Sequence, residues 1–412
     1  MLPKAHLFVV DNDTMPIHIQ RGFCGIVSIG RLNKSGGLNG SYFGQIADLM
    51  NISLGDLVYF YMMKKSAFFR IAAGHSYAPL QQGYYGVFQV TGLPFVCGDQ
   101  ISGEYPFEEF RIFGSRDNRD YREMDRRHYV ASKGKHLPIL SHRIPIEPIP
   151  DYEKYFQNRV VDDNHAYVDR TDEGQLNTLL FKKIKRIGEE RSITPILPEE
   201  ASKISRLIFK AEKHDFPLFN APQKAGRCGE GEALVRIDLV VKEDELAREN
   251  MLEAYIAHAL NTGAPLGDLQ AAIGSYEEIE YCGNQVQYGI SGNKVDMLLL
   301  HRRVIGGSIS YRYKATVIEL KKAKIDESSI RQIVDYQKWI AQLVTYNNIS
   351  AIQPILVGKK PSARMAQEKK REIAQLLDRI VQSAVQPPVF IEYIPSQDKT
   401  IQFVKYDIRN YL

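Results

Sequence analysis

The chain has few cysteines and no long apolar run. Its 412 residues include four cysteines, and no two of them form a Cys-x-x-Cys pair. A structural zinc site or a disulfide framework is therefore not expected. No apolar run approaches the roughly 18 residues that a membrane span needs. The apolar run near the N-terminus is too short for a signal peptide and has no small-residue cleavage site. We therefore expect a cytoplasmic protein with no membrane partner.

A large excess of charge of one sign is also missing. The chain has 53 Lys and Arg against 49 Asp and Glu, a formal net charge of +4, which is too small to indicate nucleic-acid binding by itself. Locally, segment 111–143 has nine Lys or Arg against four Asp or Glu, with Tyr121 and Tyr129 interleaved. This segment is either a solvated basic surface or a surface that contacts phosphates.

The length suggests two or three domains, and one stretch indicates a boundary. Residues 214–234 are rich in Gly, Pro and Ala without periodicity, which is typical of a linker. We predict a first domain over 1–212, a linker over 213–234 and a second domain over 235–412. The first domain has short strand patterns bounded by Gly, Pro or Asp, which predict an α+β domain. The second alternates strands with helices and predicts an α/β fold.

Charged residues interrupt the apolar strands of the second domain. In the strand pattern TVIELK, Glu319 and Lys321 are two apart and must share one face. Asp296 is an isolated carboxylate in the preceding long strand pattern, KVDMLLL. If the two strands are neighbours, as sequential strands usually are, Asp296 and Glu319 converge. The alternative is that Asp296 ends a strand and Glu319 with Lys321 is an ion pair on an edge strand.

Two converging carboxylates repel each other unless a cation lies between them. Hard oxygen ligands suit Mg²⁺, which keeps several waters, and such an ion can activate water and polarise a phosphoryl oxygen. Lys321 then has two possible roles. It orients or deprotonates the attacking water, or it stabilises charge that develops on phosphate.

Two predicted helices carry further candidates. Gln332 and Tyr336 are four apart and share one face of a helix that follows the Glu319 strand. That face can turn towards the metal site and contact backbone phosphates. Glu253 lies on a helix predicted over Asp244–Asn261, where it either adds an acidic ligand or is a solvated residue.

The order of these residues resembles the PD-(D/E)xK nuclease superfamily. Within it, the segments NKVDMLLL and ATVIELKKAKIDESSIRQIVDYQKWI are similar to the catalytic domain of NucS-type endonucleases and their restriction-like relatives, over about residues 245–360. The resemblance implies a restriction-endonuclease-like core, a mixed sheet flanked by helices, and hydrolysis of phosphodiester bonds with Mg²⁺ or, in its place, Mn²⁺. One departure from the family pattern is Val295, which stands where a Pro is usual.

The same resemblance implies a role for each candidate. Asp296 and Glu319 would bind the metal, with Glu253 as a supporting acidic ligand. Lys321 would assist the chemistry, and Gln332 and Tyr336 would support the catalytic group.

The first domain resembles the PUA-like superfamily, especially EVE and YTH-related domains. The resemblance is carried by GDLVYFYMM, GYYGVFQVTGLPF and HLPILSHRIPIEPI. It implies a small barrel with an aromatic pocket for a modified or flipped base. By analogy, Phe23 and Tyr61 would stack on the base and Asn12 would read its edge. The alternative is that these aromatic residues form the barrel core. The pocket in that family is commonly built with Trp, whereas the single Trp here, Trp339, lies in the nuclease-like domain.

Together these patterns predict an enzyme that cuts DNA. The main interpretation is a modification-dependent restriction endonuclease, in which the first domain reads a modified base. A second interpretation is a NucS-like repair endonuclease specific for mismatches or DNA structures, and a third is a binding protein with an inactive nuclease core. Cutting both strands with one site per chain favours a homodimer with two-fold symmetry.

Overall fold

The computed structural model divides the chain into two compact units. One unit joins Phe43–Asn51 to Ile237–Leu412 and is called here the C-terminal unit, and the other, the N-terminal unit, comprises Pro3–Tyr42 and Ile52–Arg236. The fold is a mixed α/β fold with several sheets and few helices. The structure describes residues 3–10, 18, 22–26, 36–62, 83–97, 142–149, 160–162, 192–210, 232–288, 293–345, 347–362, 364–383 and 385–412.

The N-terminal unit is built on a mixed sheet. Its described strands are β1 (Ala5–Val10), β2 (Phe23–Ile26), β3 (Leu57–Met62), β4 (Gly83–Val90), β5 (Phe95–Cys97), β6 (His142–Pro148), β7 (Val160–Asp162), β8 (Ile193–Ile196) and β9 (Glu232–Leu234). Their order is β8-β1-β3-β4-β6-β5-β9, with β2 on β6 and β7 on β4. Only the β1–β3 pair is parallel among these described pairings. Helix α2 (Pro198–Lys210) packs its apolar face on the β1–β3–β4 part of this sheet.

The C-terminal unit is a six-stranded sheet with helices. In chain order its elements are α1 (Gly40–Met50, assigned to this unit from Phe43), β10 (Val241–Lys242), β11 (Glu245–Leu246), α3 (Glu249–Thr262), α4 (Asp268–Ile273), β12 (Ile279–Tyr288), β13 (Asn293–Ile305), β14 (Ile309–Lys324), α5 (Glu327–Val344), β15 (Ile352–Lys359), α6 (Gln367–Gln382), β16 (Val389–Pro395) and β17 (Ile401–Tyr406). The sheet order is β12-β13-β14-β15-β16-β17. Short 3₁₀ turns cover Tyr276–Glu278, Ile349–Ala351 and Ile408–Tyr411.

The pairing directions of this sheet follow from its connections. β12, β13 and β14 are antiparallel neighbours, whereas β15 runs parallel to β14 because helix α5 carries the chain back across the sheet. Asp326 caps α5 by accepting a hydrogen bond from the Ser329 N–H at 2.9 Å. The long buried apolar run of β13 is typical of a strand covered on both faces.

The first helix of the C-terminal unit after residue 237 begins later than the sequence predicted. Glu243 and Asp244 have φ angles of 49° and 65° and form the turn of the β10–β11 hairpin. Two consecutive residues with positive φ are the conformation of a tight hairpin turn. The prediction that this helix begins at Asp244 was therefore wrong, because α3 begins at Glu249, more than one turn later.

Residues 43–51 are held in the C-terminal unit by side-chain amides. The Asn51 Nδ2 donates to the Cys282 carbonyl at 2.5 Å, and the Asn284 Nδ2 donates to the Ala47 carbonyl at 3.2 Å. Asn261 donates to the Met50 carbonyl as well. The second domain predicted from the sequence, 235–412, does not include residues 43–51. Its boundary at residue 235 remains a prediction.

These contacts predict that a fragment of residues 235–412 is less stable than the same fragment supplied with residues 40–51. A hydrogen bond contributes about 1 kcal/mol net, and the missing helix also leaves apolar surface of the unit uncovered. We expect a peptide of residues 40–51, added in excess, to raise the urea midpoint of the fragment. A midpoint that does not change with saturating peptide would contradict this placement of α1.

Candidate active site

Asp296 and Glu319 lie on neighbouring strands inside the sheet. Asp296 is on β13 and Glu319 on β14, which pair antiparallel with Met297 opposite Ile318. Both carboxylates are buried, and Glu319 is 2% exposed. The prediction that the two strands are neighbours is confirmed. The alternative was wrong about the edge strand, because Asp296 lies within β13 and β14 is paired on both sides, by β13 and β15. Glu319 and Lys321 do form the ion pair that it included.

Three of the four carboxylate oxygens have hydrogen-bond donors. The Asp296 Oδ2 accepts from the Leu320 N–H at 2.7 Å, and its Oδ1 accepts from the Gln285 Nε2 at 2.8 Å. The Glu319 Oε1 accepts from the Lys321 Nζ at 2.6 Å. The remaining oxygen, Glu319 Oε2, is buried and has no hydrogen-bond partner. A buried oxygen without a donor is costly, and a bound cation would satisfy it.

Burial and mutual repulsion make both carboxylates weak acids. Burial, and then the charge of Asp296, raise the pKa of Glu319 to about 9, although Lys321 acts in the opposite direction. Burial likewise raises the pKa of Asp296 to about 6, against the hydrogen bond from the Leu320 N–H. Without a cation the pair therefore retains a proton at neutral pH.

This pair makes the stability of the metal-free protein depend on pH. The pKa of Glu319 rises from 4.5 to about 9 on folding, so its protonated form is favoured by the fold, and its contribution is lost as the pH rises between these values. One pKa unit corresponds to about 1.4 kcal/mol. We expect the free energy of unfolding in EDTA to fall from pH 6 to pH 9 by an amount on the order of a few kcal/mol more in the wild type than in Glu319→Gln. Urea unfolding at both pH values measures this, and parallel losses in the two proteins would contradict it.

Lys321 belongs to a chain of hydrogen bonds that reaches helix α5. Its Nζ donates to the Gln332 Oε1 at 3.3 Å, and the Gln332 Nε2 donates to the Tyr336 Oη at 2.6 Å. The Tyr336 hydroxyl in turn donates to the Lys294 carbonyl on β13 at 2.8 Å. The structure thus brings Gln332 and Tyr336 to the Glu319–Lys321 pair, on the shared helix face that their spacing predicted.

The surroundings of Lys321 favour its charged form. Burial lowers the pKa of the ammonium group, but the Glu319 carboxylate more than offsets this, and the net pKa lies above its ordinary value. Lys321 is therefore protonated in the metal-free site at neutral pH. Of the two roles that the sequence left open, this state suits the stabilisation of phosphate charge better than removal of a proton from water.

Glu253 is buried on α3 and reaches the site through another residue. Its Oε2 accepts from the Gln285 Nε2 at 3.1 Å and from the Asn250 Nδ2 at 3.3 Å. The alternative that Glu253 is solvated was wrong, since its side chain is buried. Within the described parts of the chain, no three His, Cys, Asp or Glu side chains are grouped to hold a metal ion. Glu253 therefore does not form a three-carboxylate group with Asp296 and Glu319, and Gln285 bonds both Asp296 and Glu253.

Two residues of this site were missed from the sequence. Gln285 is one of several polar residues in β12, and nothing in its spacing distinguishes it from a solvent-facing strand residue. Glu249, four residues before Glu253, contributes its charge to the raised pKa values of Asp296 and Glu319. The i, i+4 spacing of Glu249 and Glu253 on one helix face was a signal that could have found it.

The predicted base-binding aromatics lie in the core of the N-terminal unit. Phe23 is 0% exposed, with the Arg143 guanidinium 4.3 Å above its ring. Tyr61 is 2% exposed and packs against Tyr84, with ring centroids 4.9 Å apart. Both positions fit the alternative that these aromatics are core residues. A base could stack on Phe23 or Tyr61 only after rearrangement, so their role remains a prediction.

Other predicted features of the N-terminal unit are not described. Asn12, and segment 111–143 apart from His142 and Arg143, lie outside the described residues. The predicted readout of a base edge and the predicted phosphate contacts of the basic segment therefore remain predictions.

Comparison with known proteins assigns no family to this chain. No protein-family model matches it, and no curated protein matches it. Among the described helices, none is long and apolar enough to cross a membrane.

Proposed function

We propose that the protein is a metal-dependent DNA endonuclease whose active site is formed by Asp296, Glu319 and Lys321. The observation that carries this proposal is the Glu319 Oε2, a buried carboxylate oxygen without a donor, next to a second buried carboxylate and an ammonium group. A site built only for stability would not bury two repelling carboxylates, because neutral side chains of the same size cost less. The resemblance of residues 245–360 to PD-(D/E)xK nucleases supports the same activity.

The donor set fits Mg²⁺ better than a transition metal. Asp296 and Glu319 offer hard oxygen ligands, and no cysteine or histidine is grouped with them among the described residues. Mg²⁺ is commonly bound by one or two carboxylates while it keeps several waters. Mn²⁺ accepts the same ligands and should substitute.

Each side chain has a role that follows from its contacts. When bound, the metal ion would activate water and polarise a phosphoryl oxygen. Asp296 and Glu319 would hold it, and the Leu320 N–H fixes the Asp296 carboxylate at 2.7 Å. The charged Lys321 would stabilise negative charge on the scissile phosphate.

Gln332 and Tyr336 are positioning residues in this proposal. Gln332 accepts from Lys321 and is itself held by Tyr336, which is anchored on the Lys294 carbonyl. The chain therefore fixes where the ammonium group lies relative to the carboxylates. Glu253 supports the site through Gln285, which bonds both Glu253 and Asp296.

The architecture we propose is a restriction-endonuclease-like core joined to a PUA-like domain that reads a modified base. The mixed six-stranded sheet of the C-terminal unit is compatible with the former. Because Phe23 and Tyr61 are buried, the base-reading role of the N-terminal unit has less support than the proposed cutting site. A NucS-like repair endonuclease and an inactive DNA-binding protein are the alternatives, and a two-fold homodimer is the assembly that double-strand cutting would need.

A digest of several DNA substrates side by side separates these functions. Methylated, hydroxymethylated, mismatched and plain duplexes are incubated with the full chain in Mg²⁺, in Mn²⁺ and in EDTA. Cutting confined to a modified duplex supports modification-dependent restriction, and cutting confined to the mismatched duplex supports the repair enzyme. Binding without cutting of any substrate would leave the inactive binding protein and would refute the nuclease proposal.

A further inference from the structure

Gln285 occupies an unusual position between two carboxylates. Its Nε2 donates to the Asp296 Oδ1 at 2.8 Å and to the Glu253 Oε2 at 3.1 Å. The two N–H groups of one amide thus bind an oxygen from β13 and an oxygen from α3. An electropositive NH₂ group between two carboxylate oxygens takes the place that a cation takes when it bridges two carboxylates.

The backbone at Gln285 is also held in an unfavourable conformation. Its φ angle is 52°, in the left-handed region that residues other than Gly, Asn and Asp rarely adopt. Such a conformation persists only where the surrounding structure determines it, and it is concentrated at functional sites. Gln285 thus combines a strained backbone with a side-chain amide that bridges two carboxylates.

We propose that Gln285 is a metal-site residue. In the metal-free protein its NH₂ group holds Asp296 and Glu253 together. When a divalent cation binds, the amide turns over, so that its Oε1 faces the cation, and Glu253 joins the site. This inference rests on the proposed function, because it concerns the same metal site. It adds a neutral oxygen donor to a set in which only Asp296 and Glu319 are directly grouped.

The unpartnered Glu319 Oε2 points to the same site. Its side chain is buried and the oxygen has no donor, whereas both oxygens of Asp296 are satisfied by Leu320 and Gln285. A cation that binds Glu319 must also approach Asp296, and the Gln285 NH₂ group would then repel it. Turning the amide removes this repulsion and offers an acceptor, which is why a neutral, reversible group suits this position better than a Lys or Arg.

Two substitutions separate a metal-site role from a structural one. Gln285→Asn keeps an amide and tolerates the positive φ better, but its side chain is one methylene shorter. Gln285→Glu keeps the length and replaces the NH₂ donor by a carboxylate oxygen. Mn²⁺ and Ca²⁺ binding to the full chain are measured by calorimetry, and melting temperature is measured in EDTA and in saturating Mn²⁺. Gln375→Glu, on the exposed side of α6, is the control for an added charge.

We expect Gln285→Asn to weaken Mn²⁺ binding roughly tenfold or more, the size of effect seen when a group that supports a metal site is lost. Gln285→Glu should strengthen Mn²⁺ and Ca²⁺ binding by at least about tenfold, because it supplies a further anionic ligand, while it lowers the melting temperature in EDTA. Gln375→Glu should change neither quantity. If both Gln285 variants shift the melting temperature in EDTA but keep the wild-type metal affinity within about twofold, the residue is structural and the inference is wrong.

The same titrations show which proposal fails. If the wild type binds neither cation, or if Asp296→Asn binds as tightly as the wild type, the proposed metal site itself is refuted. If the wild type binds and Asp296→Asn does not, but the Gln285 variants bind like the wild type, only the role of Gln285 is refuted. Should Gln285→Asn fail to fold, Gln285→Glu carries the test, since tighter binding cannot result from unfolding.

Discussion

Asp296→Asn and Glu319→Gln are each expected to reduce Mg²⁺-dependent DNA cleavage by at least about a thousandfold, because each removes an anionic metal ligand without changing the shape of the side chain. Each isostere keeps one carbonyl oxygen, so in Asp296→Asn the Gln285 amide, which donates to the Asp296 Oδ1 in the wild type, has to turn over to accept from the new NH₂ group. In Asp296→Asn an oxygen can still accept from the Leu320 N–H, and in Glu319→Gln an oxygen can still accept from Lys321.

The same two variants should be at least as stable as the wild type above neutral pH. Burial raises the pKa of both carboxylates, so ionising them in the metal-free protein opposes folding. Loss of cleavage together with a retained or higher melting temperature in EDTA at pH 9 is the expected combination. Unchanged cleavage in either variant would show that its carboxylate does not hold the metal, and loss of cleavage by unfolding would leave a lower melting temperature that distinguishes the two cases.

Lys321→Met is expected to lower the cleavage rate by roughly a hundredfold to a thousandfold, which is the typical cost of removing one preorganised group that stabilises transition-state charge. The ammonium group lies 2.6 Å from the Glu319 Oε1 and 3.3 Å from the Gln332 Oε1. Methionine keeps the apolar stem and removes the charge. Metal binding should remain, because both carboxylates are unchanged and the ammonium group no longer competes with the metal ion for Glu319.

Lys322→Met is the matched control for this change. Lys322 is the next residue of β14, and its side chain is exposed on the other face of the strand. Single-turnover cleavage should be close to wild type in this variant. Equal rate losses in the two variants would show that general positive charge, through attraction of DNA, explains the effect of Lys321.

The pairing of Asp296 with Glu319 was predictable because two strong local patterns agree. Isolated charges are conspicuous in apolar strands, and sequential strands usually pair. The positions of the two strands were therefore enough to predict that Asp296 and Glu319 converge. Helix α5 was predictable for a similar reason, since its apolar stripe has a regular helical period and Asp326 caps its start. Gln332 and Tyr336 then followed from their spacing.

The contribution of Gln285 could not be predicted, because it depends on tertiary geometry. A polar residue in a strand is ordinarily solvent-facing. The β12–β13 register places Gln285 opposite Asp296, and its amide bonds both Asp296 and Glu253. The burial of Glu253 was missed for a related reason, since a single acidic residue in an apolar helix does not show which neighbours cover it. The turn at Glu243 and Asp244 was missed because both residues are also compatible with the first turn of a helix.

In the N-terminal unit, the sequence likewise could not show whether aromatic strand residues line a pocket or form the core. The segment GDLVYFYMM, which includes Tyr61, has a strand pattern, and β3 covers Leu57–Met62 within it. Strand alternation places Tyr59 and Tyr61 on one face but does not show whether that face lines a pocket or a core. In the structure both pack in the core formed with β1, β4 and α2.

The most direct test of the central claim is the cleavage of duplex DNA by the full chain in Mg²⁺, in EDTA, and in EDTA followed by excess Mg²⁺. The double variant Asp296→Asn/Glu319→Gln, purified in the same way, controls for contaminating nucleases. The proposed site predicts cutting in Mg²⁺, none in EDTA, recovery when Mg²⁺ is restored, and no cutting by the double variant under any condition. Cutting that persists in EDTA, or equal cutting by the double variant, would contradict a metal-dependent nuclease centred on these two carboxylates.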